Sequence, residues 1–79
     1  MFLWISGFLK DDDYDDSLKY EFTVNQKSEP AVLAVLGWKN LDDSPDGEWL
    51  LTSDQVQQIS EVIAEQLPME LDVFIGVRG

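Results

Sequence analysis

The strongest constraint on the fold is a regular alternation of apolar and other side chains in two separate segments. From Met69 to Val77 every odd position is apolar, whereas Glu70, Asp72 and Gly76 occupy even positions. From Leu18 to Asn25 the apolar side chains occupy the even positions. Because successive side chains of a strand point to opposite faces, both segments are predicted as strands of a sheet with one packed face.

Two further segments are predicted as strands. Phe2 to Leu9 is apolar on both faces, and Glu48 to Leu51 is a brief strand candidate that follows a Pro-Asp-Gly turn. Between the first two strands lies the acidic run Asp11 to Asp16. Its position predicts a hairpin with a long, acidic connection.

Two helices are predicted between the strands. The first spans about two turns, with Ser28 as its N-cap and Gly37 at its C-terminal end. The second is the principal helix, which begins at a capping box formed by Thr52 and Gln55. Its apolar side chains repeat at helical spacing as far as Leu67, so this helix is predicted to extend that far.

The element order β-β-α-β-α-β predicts the fold class. With both helices on one face of a four-stranded, mainly antiparallel sheet, the chain forms an α+β two-layer sandwich in a single domain, 1–79. A domain of this length buries only about 60% of its unfolded surface, which leaves little room for a separate catalytic cavity. The second face of the sheet must then meet water or a partner.

Composition excludes several classes of function. The chain has no Cys and no His, which removes thiolate and imidazole chemistry, so neither an enzyme nor a cofactor is expected. The net charge of −11 disfavours nucleic acid and anionic membranes and favours a metal ion or a strongly basic protein. The apolar residues 1–10 have no Lys or Arg before them and are followed at once by acids, so they are predicted as a strand and not as a signal peptide. We expect a cytoplasmic protein that is monomeric when free.

Two acidic segments are candidate cation sites. Asp42, Ser44, Asp46 and Gly47 match the first half of an EF-hand calcium loop, but Ser53 stands where the closing bidentate Glu belongs. A solvated turn is therefore favoured over a calcium site. The first acidic run lacks both the sharp-turn glycine and the closing Glu, and it is predicted to steer a basic partner. The predicted steering residues are Asp11, Asp12, Asp13, Asp15 and Asp16.

Aromatic and acidic side chains are predicted together on the uncovered face of the sheet. If Leu3, Ile5 and Leu9 point to the core, then Trp4 and Phe8 emerge on the other face, where Phe74 joins them. Aromatic side chains exposed among acids are typical of a protein-binding surface. The alternatives are an inverted first strand or a loop that covers this face. The predicted contact residues are Trp4, Phe8, Glu21, Glu70, Asp72 and Phe74.

Several segments also match a known family as a pattern of elements. They are an opening aromatic strand from Leu3 to Lys10, an acidic hairpin, a helix that ends in Val35-Leu36-Gly37, and a closing strand around Val73-Phe74-Ile75. In these features the chain resembles the small acidic immunity proteins that protect bacteria against ribosome-cleaving colicins and cloacin. Antidotes of contact-dependent growth inhibition systems are similar. The resemblance implies a four-stranded antiparallel sheet whose exposed face binds and blocks the basic nuclease domain of a toxin.

Three functions therefore stand as hypotheses. Charge, composition and resemblance favour an immunity protein that binds a basic nuclease toxin domain. The alternative is a nucleic-acid mimic that inhibits a DNA- or RNA-binding enzyme; it ranks second because many carboxylates are concentrated in 11–16 and 42–48 and not spread in rows. A calcium-dependent adaptor rests on the partial EF-hand match alone.

Overall fold

A computed structural model describes residues 1–10, 18–40 and 47–79 of the chain. Four strands form one antiparallel sheet in the order β2-β1-β4-β3, so the predicted α+β fold and its element order β-β-α-β-α-β are confirmed. The elements are β1 (Phe2–Leu9), β2 (Tyr20–Thr23), α1 (Glu29–Leu36), β3 (Glu48–Leu50), α2 (Ser53–Ile63) and β4 (Leu71–Arg78).

The register of the central strands decides which side chains face the helices. Strands β1 and β4 pair along their whole length, from Phe2 opposite Arg78 to Leu9 opposite Leu71. The odd-numbered positions of both strands point to one face, where the side chains of Leu3, Ile5, Val73 and Ile75 are buried. The predicted orientation of the first strand is therefore confirmed for Leu3 and Ile5, but Leu9 at the end of β1 is exposed and does not join the core.

Both helices pack on the face that the odd-numbered residues line. Val32 and Leu33 of α1 and Val56 and Ile59 of α2 belong to the same buried cluster as the core side chains of β1 and β4. The helices therefore cover one face of the sheet, which leaves the other face without a covering element among the described residues.

The second helix starts where the sequence predicts. The Thr52 hydroxyl accepts a hydrogen bond from the Gln55 amide at 3.2 Å, and the Gln55 side chain accepts one from the Thr52 amide at 3.0 Å. This reciprocal pair is the predicted capping box, and it satisfies two amide groups that have no partner within the helix.

The predicted extension of this helix to Leu67 is wrong, because α2 ends at Ile63. Ala64 takes up a left-handed conformation with φ 55°, and the chain then turns back toward the helix. The Ser60 hydroxyl accepts a hydrogen bond from the Leu67 amide at 3.1 Å. Leu67 thus reaches the core from an irregular segment, and its apolar side chain matches the helical period without belonging to the helix.

The chain before α1 also departs from the prediction. The Ser28 side chain makes no capping hydrogen bond, because Ser28 already has helical backbone angles at the end of a 3-10 turn, Gln26–Ser28. The Asn25 side chain caps that turn instead and accepts a hydrogen bond from the Lys27 amide at 2.9 Å. Gly37 ends α1 in a left-handed conformation, as predicted. Strand β2 is shorter than predicted, and Leu18 before it is exposed.

Candidate functional site

The uncovered side of the sheet, called the open face below, is formed by alternate residues of all four strands. These are the even-numbered residues of β1, β3 and β4 and the odd-numbered residues Glu21 and Thr23 of β2. Across the middle of this face, the register aligns Glu21, Ser6, Phe74 and Leu50 in one row. The neighbouring row consists of Thr23, Trp4, Gly76 and Glu48.

Aromatic side chains dominate the centre of the open face. Phe8 and Phe74 pack edge to face, with ring centroids 5.8 Å apart and an interplanar angle of 76°. These two rings and Trp4 are each partly exposed, and Leu50, which lies opposite Phe74, is 52% exposed. The result is a partly exposed apolar surface, formed mainly by Trp4, Phe8 and Phe74 and called the aromatic cluster below.

Ser6 lies beneath this aromatic surface. Trp4 and Phe8 flank it along β1, and Phe74 lies opposite it on β4, so its side chain is fully buried although it points to the open face. Its hydroxyl has no hydrogen-bond partner within the described part of the chain. Sequence reasoning missed this residue, because a serine at an even position of the first strand looks like an ordinary exposed one.

A stacked ion pair lies at one side of the open face. The guanidinium carbon of Arg78 lies 4.4 Å from the centroid of the Trp4 ring, and its Nη2 donates a hydrogen bond to Glu48 Oε1 at 2.7 Å. Gly76 lies between Trp4 and Glu48 in the row. A Cβ atom at Gly76 would lie 3.0 Å from Glu48 Cγ and 3.3 Å from the Gly47 carbonyl oxygen, so glycine leaves the room that the Glu48 side chain occupies.

The structure brings together five of the six residues that the sequence predicts as contacts. Trp4, Phe8, Glu21, Asp72 and Phe74 all lie on the open face, with Asp72 opposite Phe8. Glu70 is exposed but precedes β4 in a turn, so its placement on the sheet was wrong. Glu48 and Arg78 were missed, because their pairing depends on a strand register that joins positions 30 residues apart.

Most residues of the two candidate cation sites lie outside the described part of the chain. The steering run, Asp11 to Asp16, and the calcium-loop candidates Asp42, Ser44 and Asp46 lie outside the described residues. Gly47 is described and has a left-handed φ of 80°, which suits the predicted turn. Within residues 1–10, 18–40 and 47–79, no three acidic side chains are grouped so that they could hold a metal ion.

On the helix-covered side, Tyr20 of β2 has an altered acidity. Partial burial raises the pKa of its phenol above 10.0, and the negative charge of Glu65 raises it further. The Tyr20 hydroxyl donates a hydrogen bond to Glu65 Oε2 at 3.4 Å, which favours the protonated phenol. This contact connects the edge of the sheet to the segment that follows α2.

A separate groove of about 620 Å³ lies beside α1. Its apolar lining includes Pro30, Leu33 and Trp38, and its ionisable groups are Glu29 and Lys39. The groove contains no pair of carboxylates for acid-base chemistry among its described lining.

Comparisons with protein-family models, curated proteins and solved structures found no match for this chain. None of the helices in the described ranges has both the length and the apolar composition that crossing a membrane requires.

Proposed function

We propose that this protein is an immunity protein, a non-enzymatic inhibitor that binds a basic nuclease toxin domain in the cytoplasm of the cell it protects. The observation that carries the proposal is the open face, where a partly exposed aromatic cluster lies beside carboxylates in a chain of net charge −11. Such a surface complements a basic protein both in charge and in the apolar contacts it offers.

Tight inhibition requires more than electrostatic attraction. Nanomolar affinity corresponds to about 12 kcal/mol, and exposed rim charges contribute mainly to the rate of encounter. Aromatic side chains that lose their remaining exposure in a complex supply the larger share of such an energy. Trp4, Phe8 and Phe74 are the candidates for this role, because they are adjacent on the open face and partly exposed.

The acids are assigned two different roles. Glu21 and Asp72 lie on the open face beside the aromatic cluster, where they can pair with Lys or Arg side chains of the partner. Glu70 is exposed in the turn just before β4 and is not part of the open face. The run from Asp11 to Asp16 is proposed to accelerate encounter through its charge.

The nucleic-acid mimic remains the second candidate, and the arrangement of the open face argues against it. A mimic needs carboxylates spaced like phosphates, but each carboxylate here is separated from the next by aromatic, small or apolar side chains. In the central row, for example, Glu21 is followed by Ser6, Phe74 and Leu50. This alternation favours a protein partner with its own apolar contacts over an enzyme groove that reads a row of charges.

Co-expression tests the proposal. The chain is expressed in bacteria together with the basic C-terminal toxin domains that neighbouring genes encode, and growth, complex formation and nuclease activity are measured. We expect that the chain restores growth in the presence of one such domain. The two should form a stable complex in which the nuclease is inactive. Absence of both rescue and complex with every such domain would refute the proposal, and tight binding to several unrelated nucleic-acid enzymes would support the mimic instead.

A further inference from the structure

The contact between Trp4, Glu48 and Arg78 has the form of an arginine-binding site. The indole ring of Trp4 supplies a flat apolar surface under the guanidinium, at 4.4 Å, and the Glu48 carboxylate accepts its hydrogen bond at 2.7 Å. A ring stacked on the guanidinium plane, together with a carboxylate at its edge, is suited to arginine and poorly suited to the compact ammonium of lysine.

The backbone of the open face pre-forms this site. Trp4, Gly76 and Glu48 align in one row across three strands, and the missing side chain of Gly76 lets Glu48 approach. The backbone positions of Trp4 and Glu48 are therefore set by the pairing of β1, β4 and β3. Removing the Arg78 side chain does not remove this strand pairing, so Trp4 and Glu48 remain in the same row of the sheet.

The guanidinium that fills the site is held by weak forces. The Arg78 side chain is 52% exposed, and an exposed ion pair or an exposed cation–π contact each contributes little to stability. A second arginine of equal chemistry can therefore replace it at small cost. A basic partner presents such arginines, and the site shares Trp4 with the aromatic residues that we assign to partner binding.

We propose that Trp4 and Glu48 form an arginine-recognition site for the basic partner, and that Arg78 occupies this site in the free protein as an intramolecular competitor. The inference rests on the proposed function for the identity of the partner, but its chemistry can be tested without the partner. Because a partner must displace Arg78, weakly basic proteins would bind the site poorly. A ligand that also contacts the aromatic cluster would still bind.

Binding of short basic peptides tests the competitor role of Arg78. The probes are a ten-residue arginine peptide and a ten-residue lysine peptide, and their affinities for the wild-type chain, Arg78→Gln and Lys27→Gln are measured by calorimetry. Lys27 lies on the 3-10 turn, outside the open face. Arg78→Gln and Lys27→Gln each remove one positive charge, so both change the net charge of −11 by the same amount. We expect Arg78→Gln to bind the arginine peptide about 3- to 30-fold more tightly than wild type, since it loses a competing stack and ion pair.

The control variants separate recognition from general attraction. Lys27→Gln should gain less affinity than Arg78→Gln, and both should show a smaller gain for the lysine peptide. Trp4→Leu in the Arg78→Gln background should abolish the preference for arginine over lysine, with thermal unfolding confirming that each variant is folded. Equal gains from Arg78→Gln and Lys27→Gln, or no preference of Arg78→Gln for arginine, would overturn the proposal.

The two proposals fail independently. If the wild-type chain protects against a neighbouring toxin domain but the arginine preference is missing, the immunity function stands and the arginine site is wrong. If the arginine preference and its gain in Arg78→Gln are observed but no toxin domain is neutralised, the recognition site stands and the proposed function is wrong.

Discussion

Replacing Ser6 by alanine is expected to stabilise the protein, although it removes a polar group from a buried position. The Ser6 side chain is fully buried under the aromatic cluster, and its hydroxyl has no partner within the described residues. Folding therefore strips water from the hydroxyl without replacing the lost hydrogen bond. Ser6→Ala removes that penalty and leaves no other group unpaired.

The magnitude follows from two opposing contributions. Leaving a buried hydroxyl unpaired costs about 1–3 kcal/mol, which the substitution recovers. Alanine has a low strand propensity, on a scale that spans about 1 kcal/mol, and this offsets part of the gain in stability. We therefore expect a net increase of about 1 kcal/mol in the free energy of unfolding, or a rise of about 4–8 °C in Tm for a domain of this size.

Ser60→Ala provides the matched control, because the same substitution should act in the opposite direction. The Ser60 hydroxyl donates to the Val56 carbonyl at 2.7 Å and accepts from the Leu67 amide at 3.1 Å. Its loss leaves the partly buried Leu67 amide without an acceptor, at a cost of about 1 kcal/mol or more. Urea unfolding, monitored by circular dichroism, measures the free energy of unfolding of both variants. A Ser6→Ala variant less stable than wild type would refute the reasoning, since the hydroxyl would then have a stabilising partner.

Two further predictions concern the capping box and the phenol of Tyr20. Thr52→Ala should lower the free energy of unfolding by about 1 kcal/mol in the same urea assay, because the Gln55 amide loses its acceptor; unchanged stability would exclude a stabilising cap. In Tyr14→Phe, which leaves Tyr20 as the remaining tyrosine, ultraviolet titration should give a pKa above 10.0, and Glu65→Gln should lower it only in part because burial is the larger cause. Since folding raises this pKa, its contribution to stability is complete below pH 10 and is lost as the pH rises through the raised value. A Tyr20 pKa at its ordinary value would contradict this prediction.

Local patterns in the sequence were sufficient to predict the sheet and the position of the aromatic residues. Alternation in β4 and at Leu3 and Ile5 specified the packed face, and the side of Trp4 and Phe74 followed from it. Patterns of this kind depend only on the geometry of a strand, so they can be interpreted without knowing the neighbours.

Features that depend on distant contacts could not be predicted in this way. Helix α2 ends just before the left-handed Ala64, and a hydrogen bond between Ser60 and Leu67 holds the following segment, although its apolar spacing still fits a helix. The arginine site needs the register of β3 against β4, which brings Glu48 to Arg78. Neither the burial of Ser6 nor this ion pair can be recognised from the local order of apolar and polar residues in the sequence.

The central claim is that the open face binds the toxin domain, and a comparison of tryptophan variants tests it most directly. Trp4 lies on the open face, whereas Trp49 is 48% exposed and lies opposite Ile75, on the helix-covered side of the sheet. The toxin domain recovered in the co-expression experiment is immobilised, and the dissociation rates of wild type, Trp4→Ala, Phe74→Ala and Trp49→Ala are measured after each variant is shown to be folded.

The account predicts that Trp4→Ala and Phe74→Ala each accelerate dissociation by about 30-fold, which corresponds to a loss of about 2 kcal/mol. Their association rates should change little, because the acidic residues that govern encounter are intact. Trp49→Ala should dissociate at the wild-type rate. Rapid dissociation of Trp49→Ala, with wild-type rates for Trp4→Ala and Phe74→Ala, would contradict the claim and place the partner on the other side of the sheet.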